Sequence, residues 1–339
     1  MKIALFAYTR DGIQTGKRII EAVPDFQIRA FAPERICESE FGRIPSPSAA
    51  FYKEQFERAD ALVFISSCGI AVRMIAPFVK DKSTDPAVLC IDDRGQFVIP
   101  LLSGHIGGAN DLAIKIGKSL NALPVITTAT DNHKRFSVDS WATRNGFLID
   151  NMQIAKEISA AILEEDIPIL SELPLPEHLP NGLVSKSSGR IGIYFGWKTI
   201  TPFEKTLRII PKCLHLGIGC RRGISLDGIK ESVITILNRE HIDIRAVKLC
   251  ASIDLKAEET GLLEFCRYLN VPVEYYSAEE LRTVFGEFSH SDFVQKITGV
   301  DNVCERAAMK SADRLILTKQ VFNGVTAALG TEIKEVSFE

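Results

Sequence analysis

Short apolar runs rich in β-branched residues alternate with longer stretches of helical period along most of the chain. Runs of this length, bounded by turn residues, predict strands buried on both faces. A helix between successive strands predicts crossover connections and a largely parallel sheet. In the first part KIALFAY (2–8), QIRAFA (27–32), ALVFIS (61–66), AVLCID (87–92), QFVIP (96–100) and LPVITT (123–128) are the expected strands. Helices are expected at 14–23, after the proline turn at 45–47, at 69–79 and at 107–121. Asp93-Arg94-Gly95 reads as a turn joining two of the strands.

CLHLGIG (213–219) opens a second series. It continues with a helix over 225–239, a strand near 244–250, a helix over 257–269 and the strand VPVEYY (271–276). Helices at 278–285 and 300–310 and strands near 314–317 and 322–328 complete it. Between the two series, SELPLPEHLPNGLVSKSSGR (171–190) is rich in Pro, Ser and Gly and reads as a loop or linker. The expected architecture is two three-layer α/β domains with largely parallel sheets, 1–138 and 211–339, joined by a small middle segment, 139–210.

Composition narrows the function classes. Hydrophobic residues make up 46% of the 339 and charged residues 24%, enough apolar sequence for a core in each half. Forty Lys and Arg against forty-three Asp and Glu leave a net charge of -3, which argues against a bulk nucleic-acid binder. No apolar run approaches the ~20 residues that span a bilayer, so no membrane partner is expected. MKIALFAYTRDG reads as a first strand and not as a signal peptide, and a cytoplasmic location is expected. The eight cysteines form no CxxC pair, so they are expected to be reduced thiols, most of them buried, with no zinc-ribbon site.

The densest chemistry lies in LLSGHIGGANDLA (101–113). Ser103, Gly104 and His105 follow a strand, and Gly107 and Gly108 open a helix whose N-terminal N–H groups suit a carboxylate or a developing oxyanion. His105 there is a candidate general base. The alternative is that the glycines serve only close helix–sheet packing. Asn110 belongs to the same segment. Thr127 to Asp131 (TTATD) follows the next strand, where Thr128 and Asp131 suit either the ligand crevice at strand C-termini or a helix cap. Asp92 reads as a turn residue or as a group orienting a histidine. Cys68 reads as packing; Arg73, in the same strand-to-helix connection, is the better candidate, as an anion clamp.

In the second half LGIGCRRGIS (216–225) has Gly217, Gly219 and Gly223 in a GxGxxxG spacing, one residue longer than the dinucleotide fingerprint. GIQTGKR (12–18) is one residue short of a P-loop and lacks the Ser or Thr. What remains is a glycine-rich loop carrying Arg221 and Arg222, suited to a polycarboxylated ligand or to a solvated turn. Ser252 or Asp254, after the next strand, reads as the next helix cap, with Ser252 also a candidate ligand contact, and Lys319, beyond strand 314–317, is expected to meet the same crevice.

Taken together, SSCGIAVRMIAPFVKDKSTDPAVLCIDDRGQFVIPLLSGHIGGANDLA (66–113), TTATD (127–131), LGIGCRRG (216–223), ASIDLKAEETGL (251–262) and TGVDNVCERAA (298–308) resemble the CbiG family of anaerobic cobalamin biosynthesis, the cobalt-precorrin-5A hydrolases. The C-terminal part also resembles CobE of the aerobic pathway. The resemblance implies a cobalt-bearing tetrapyrrole as substrate. Its ring A acetate is closed as a lactone onto the former meso carbon, and water opens that lactone with loss of acetaldehyde. The cobalt arrives with the substrate, so no cofactor is expected. Neighbouring pathway enzymes are conceivable partners, and the oligomeric state stays open. On chemistry and position, His105 is the base, Gly107 and Gly108 supply oxyanion donors, and Asp92 or Asp131 orients the base. Arg73, Arg221, Arg222 and Lys319 grip carboxylates. Two other classes stay open: a carrier that holds the tetrapyrrole without turnover, and a nucleotide-dependent oxidoreductase with a broken fingerprint.

Overall fold

The computed structural model describes residues 1–81, 84–104, 107–128 and 135–338. The chain divides into two compact units, Met1–Thr143 and Arg144–Glu339.

In the first unit the order is β1 (Lys2–Ala7), α1 (Arg10–Ala22), β2 (Gln27–Pro33), β3 (Gly42–Ile44), α2 (Ala49–Arg58), β4 (Ala61–Ile65), α3 (Cys68–Ile75), β5 (Ala87–Ile91), β6 (Phe97–Leu102), α4 (Ala109–Leu120), β7 (Leu123–Pro124) and α5 (Val138–Arg144). The strands form one sheet in the order β3-β2-β1-β4-β5-β6-β7. β4 and β5 are buried along their whole length and β1 along nearly all of it, which is why they read as unbroken apolar runs. Alternate residues face opposite layers. Leu5, Val63 and Leu89 pack with Ile13, Ile19, Leu112 and Ile116 of α1 and α4. Phe6, Leu62, Phe64 and Val88 pack with Tyr52, Phe56, Ala71 and Ile75 of α2 and α3.

β5 and β6 pair antiparallel through the turn at Asp92–Gln96, while β1, β2, β4 and β5 run parallel. β7 follows the direction of β6. The reversal carries the segment after β6 to the edge of the sheet where the parallel strands begin. Ser103, Gly104, Gly107, Asn110, Thr127 and Thr128 therefore lie at the N-terminal edge, not at the C-terminal crevice expected from the sequence.

The second unit begins with β8 (Leu148–Ile149), α6 (Met152–Ala161), β9 (Ile167–Ser171), β10 (Leu183–Ser185), β11 (Ile191–Phe195) and β12 (Lys205–Ile210). These build a sheet ordered β10-β9-β11-β12-β8. The proline-rich stretch read as a linker thus contributes β10. Then follow β13 (Leu214–Cys220), α7 (Leu226–Arg239), β14 (Val247–Ile253), α8 (Thr260–Leu269), β15 (Val273–Tyr276), α9 (Ala278–Arg282), α10 (Asp292–Thr298), α11 (Cys304–Met309), β16 (Arg314–Phe322) and β17 (Val325–Thr331). Their sheet is ordered β15-β14-β13-β17-β16, with β16 and β17 as an antiparallel hairpin. Leu214, Leu216 and Ile218 face α7 and α8. On the other face α11 lies so close that a Cβ on Gly217 would stand 1.8 Å from the Cys304 carbonyl oxygen. That glycine serves helix–sheet packing.

Mixed, mostly parallel sheets covered by helices give the α/β class expected. All eight cysteines are free, and five of them are buried. No helix among the described residues is long and apolar enough to cross a membrane.

Candidate functional site

In the first unit the N-terminal edge gathers the loop after β6, the loop before β5 and the end of the 123–128 segment. Ser103 sits in the left-handed region at φ 55°, and its hydroxyl donates to the Asp85 carbonyl at 2.9 Å. Asp85, which is buried, also accepts the Lys80 N–H at 2.9 Å through its carboxylate. Asp85 therefore ties Lys80 to Ser103. Asn110 is buried at the start of α4 and donates to the Thr128 hydroxyl at 3.0 Å. Ser103, Asn110 and Thr128, proposed separately from the sequence, are thus brought to one edge.

The two glycines have different reasons. A side chain on Gly107 would put Cβ 2.4 Å from Ser103 Cβ, so the loop closes only with hydrogen there. Gly108 adopts φ 77° and faces open space. The N–H groups of Ala109 and Asn110 turn back to the carbonyls of Ser103 and Gly104, at 3.1 and 3.0 Å. No partner for the N–H of Gly107 or Gly108 is found among the described residues, so these two remain as donors to a ligand. His105 and Asp131 lie outside the described residues.

Asp92 is corrected. It stands at the C-terminal end of β5, about 16 Å from the other edge for a five-residue strand. Its carboxylate accepts the N–H groups of Gln96 and Phe97, both at 2.7 Å. It organises the β5–β6 turn and cannot orient a base beside Gly104. Arg73 stands away from that loop too: it is exposed on α3, with its guanidinium 3.9 Å from where a Gly69 Cβ would lie, near the helix start at the C-terminal edge.

In the second unit Gly219, Arg221 and Arg222 do follow the C-terminal end of β13. Gly219 makes room for Thr326, whose hydroxyl would lie 2.5 Å from a Cβ there. Arg221 lies over the β16–β17 turn, its N–H donating to the Gly324 carbonyl at 3.1 Å. Ser252 is corrected: it is fully buried and donates to the Ile218 carbonyl at 2.7 Å, tying β14 to β13. It offers nothing to a ligand.

A recess of about 950 Å³ opens between the starts of α7 and α8. It is lined by Asp227, Asp254, Glu258, Glu259 and Glu264 against Arg222. Glu259 accepts the Gly223 N–H at 2.8 Å. That bond, with Lys256 and Arg222 beside it, holds its carboxyl below the usual range against the opposing effect of burial. So acidic a recess repels a polycarboxylate, and Arg222 stands exposed among its carboxylates.

Lys319 falls within β16, where the pairing slips between Leu317 and Gln320. Its N–H donates at 2.6 Å to Glu305, a fully buried carboxylate. Glu305 also accepts from Ser289 N–H and the Asn302 amide, each at 2.7 Å, and from Ser289 Oγ at 3.0 Å. Sequence reading missed Asp85 and Glu305, because a charged residue without an alignment reads as solvated surface.

The comparisons follow the same segments. Residues 50–131 match the family model described as Cobalamin synthesis G N-terminal, and 214–330 the one described as Cobalamin synthesis G C-terminus. The chain belongs to the cobalamin synthesis G (CbiG) family. The protein named cobalt-precorrin-5A hydrolase from Priestia megaterium is 32% identical, over 96% of this chain and 94% of its own length. The one of the same name from Salmonella typhimurium is 33% identical over 97% of each. A solved structure from Sulfolobus solfataricus, described as a putative cobalamin biosynthesis protein G homolog, aligns over 97% of both chains at TM-score 0.43 and 24% identity. The CbiG N-terminal match encloses both the Lys80–Asp85 and the Ser103–Asn110 loops.

Proposed function

We infer that this chain is a cobalt-precorrin-5A hydrolase of cobalamin biosynthesis. The observation that carries the reading is full-length similarity, above 30% identity, to two proteins of that name. The cobalt is part of the substrate. In this reading water adds to the acyl carbon of the ring A lactone as its proton passes to a base. The C–O bond breaks, giving an acetate carboxylate and a hydroxyl on the extruded carbon. Loss of the hydroxyl proton then releases that carbon and its methyl as acetaldehyde, the bonding electron pair passing to the macrocycle.

The chemistry needs a base and donors for a tetrahedral oxyanion. His105 is the proposed base. The N–H groups of Gly107 and Gly108 are the proposed donors, because the loop leaves them unpaired among the described residues. Asp131 is the proposed orienting group. Ser103, Asn110 and Thr128 hold the loop in shape, while Arg221 and Lys319 are proposed to take peripheral carboxylates. The enzyme is proposed to act in the cytoplasm.

The test is anaerobic incubation with cobalt-precorrin-5A, following cobalt-precorrin-5B by mass spectrometry and acetaldehyde by trapping. Both products in equal amount support the reading. Tight binding without either product would make the chain a carrier.

A further inference from the structure

A cleft of about 700 Å³ opens at the N-terminal edge of the first unit's sheet, and Gly107 forms part of its wall. The cleft is therefore continuous with the loop proposed to carry the oxyanion donors. Phe56 and Phe78 line it side by side, their ring centroids 6.1 Å apart. Two ammonium groups stand on its walls: Lys53 from α2 and Lys80 from the loop before β5. Both residues are exposed, and neither side chain has an ion-pair partner among the described residues.

Glu57, Asp60 and Asp85 also line the cleft, but none of them forms an ion pair with either lysine. Asp60 accepts the Lys2 N–H at 2.6 Å. Asp85 takes the backbone N–H of Lys80, which leaves that lysine's ammonium unengaged. Glu57 is exposed and lies beyond ion-pair distance of Lys53, four residues before it on the same helix. Asp85 binds both the Lys80 backbone and the Ser103 hydroxyl, which ties Lys80 to the start of the glycine segment.

We propose that Lys53 and Lys80 form a carboxylate subsite in this cleft, gripping acetate or propionate side chains of the macrocycle beside the reacting lactone. The proposal rests on the functional reading above. Two aromatic rings and two lysines in one cleft suit the edge of a tetrapyrrole, which presents ring hydrocarbon between short carboxylate arms. Opening the lactone adds one more carboxylate next to this loop, so the two ammonium groups also favour the product charge.

The experiment is anaerobic steady-state kinetics with cobalt-precorrin-5A. The variants are Lys53→Ala, Lys80→Ala, the double variant, Lys80→Arg, and Lys118→Ala as a control on α4. Losing hydrogen bonds to charged groups should raise KM about 10- to 100-fold in the double variant, with kcat little changed. Lys80→Arg should stay near wild type, and the double variant should lose most of the salt dependence of KM. Equilibrium dialysis of cobalt-precorrin-5B against the double variant should show the same loss. If wild type turns over and the double variant keeps its KM and its affinity for product, the subsite is wrong. If wild type yields no product, it is the functional reading that fails.

Discussion

The Ser103 hydroxyl and the Asp85 carbonyl meet at 2.9 Å across the edge where β6 ends and β5 begins. This bond joins two loops that are eighteen residues apart in sequence and lie on the same antiparallel pair. It also holds Ser103 in a left-handed conformation that few side chains adopt. Ser103→Ala removes the donor and leaves the Asp85 carbonyl short of a partner. The net cost should be about 1 kcal/mol, or roughly 2–4 °C in Tm for a unit of this size. Differential scanning calorimetry checks it. Turnover should fall further than so small a stability change would explain, since the glycine loop loses its anchor.

His105→Ala should lower kcat for lactone opening by ~100- to 10,000-fold with KM nearly unchanged, the usual effect of removing a general base. Single-turnover kinetics with cobalt-precorrin-5A measure it. Near-normal turnover would move the base to Asp131.

The layers were legible in the sequence because β1, β4 and β5 are buried on both faces and alternate with helices of clear period. The placement of the site was not. The turn at Asp93-Arg94-Gly95 was visible, but its consequence is topological: one antiparallel strand moves the loop after β6 and the end of the 123–128 segment to the opposite edge. Asp92 and the glycine loop, adjacent in the sequence reading, are therefore separated by the length of β5. Ser252 was misjudged because a serine after a strand looks like a cap until burial is known. Glu305 was invisible for the converse reason: its four hydrogen-bond donors come from residues 289, 302 and 319, and only the fold brings them together.

Gly217→Ala tests the packing of the second unit. The added methyl would stand 1.8 Å from the Cys304 carbonyl oxygen and 2.8 Å from the Ala308 nitrogen, both backbone atoms of α11. A helix backbone cannot yield as a flexible side chain can, so α11 must shift. Overpacking of this kind costs about 1–3 kcal/mol, and here the upper end is expected. Urea unfolding should show a lower midpoint with little change in slope.

Acid should loosen the second unit through Asp243. Burial alone would raise its carboxyl, but hydrogen bonds from Arg245 and Arg208 outweigh that and hold it at about 2. Arg208 reaches it from β12 at 2.5 Å, so the pair ties the middle sheet to the segment before β14. A folded-state value below the unfolded one stabilises above the unfolded value. That contribution, about 2 kcal/mol, is complete above pH ~5 and is lost as pH falls from ~4 towards 2. Asp243→Asn should flatten this part of the stability profile and cost about 2 kcal/mol at neutral pH, Arg208 keeping Asp150 at 3.7 Å as a weaker partner. Thermal melts of both proteins from pH 2 to 7 give both quantities.

The two neighbouring arginines after β13 should behave differently, although the sequence presents them as a pair. Arg222 lines the acidic recess and helps hold the Glu259 carboxyl low, so it sits in a field of carboxylates. Arg221 lies over the β16–β17 turn, is exposed, and has no carboxylate partner among the described residues. A polycarboxylated substrate is attracted to an unbalanced cation and not to one inside a carboxylate cluster. Arg221→Ala should therefore lose a charged hydrogen bond worth about 1.5–3 kcal/mol, raising KM roughly 10- to 100-fold with kcat little changed. Arg222→Ala should leave KM near the wild-type value and instead raise the Glu259 pKa, because a nearby positive charge is removed. Steady-state kinetics at two salt concentrations, with carboxyl titration of Glu259 by NMR, separate the two. Equal effects of both substitutions on KM would mean that the ligand enters the acidic recess after all.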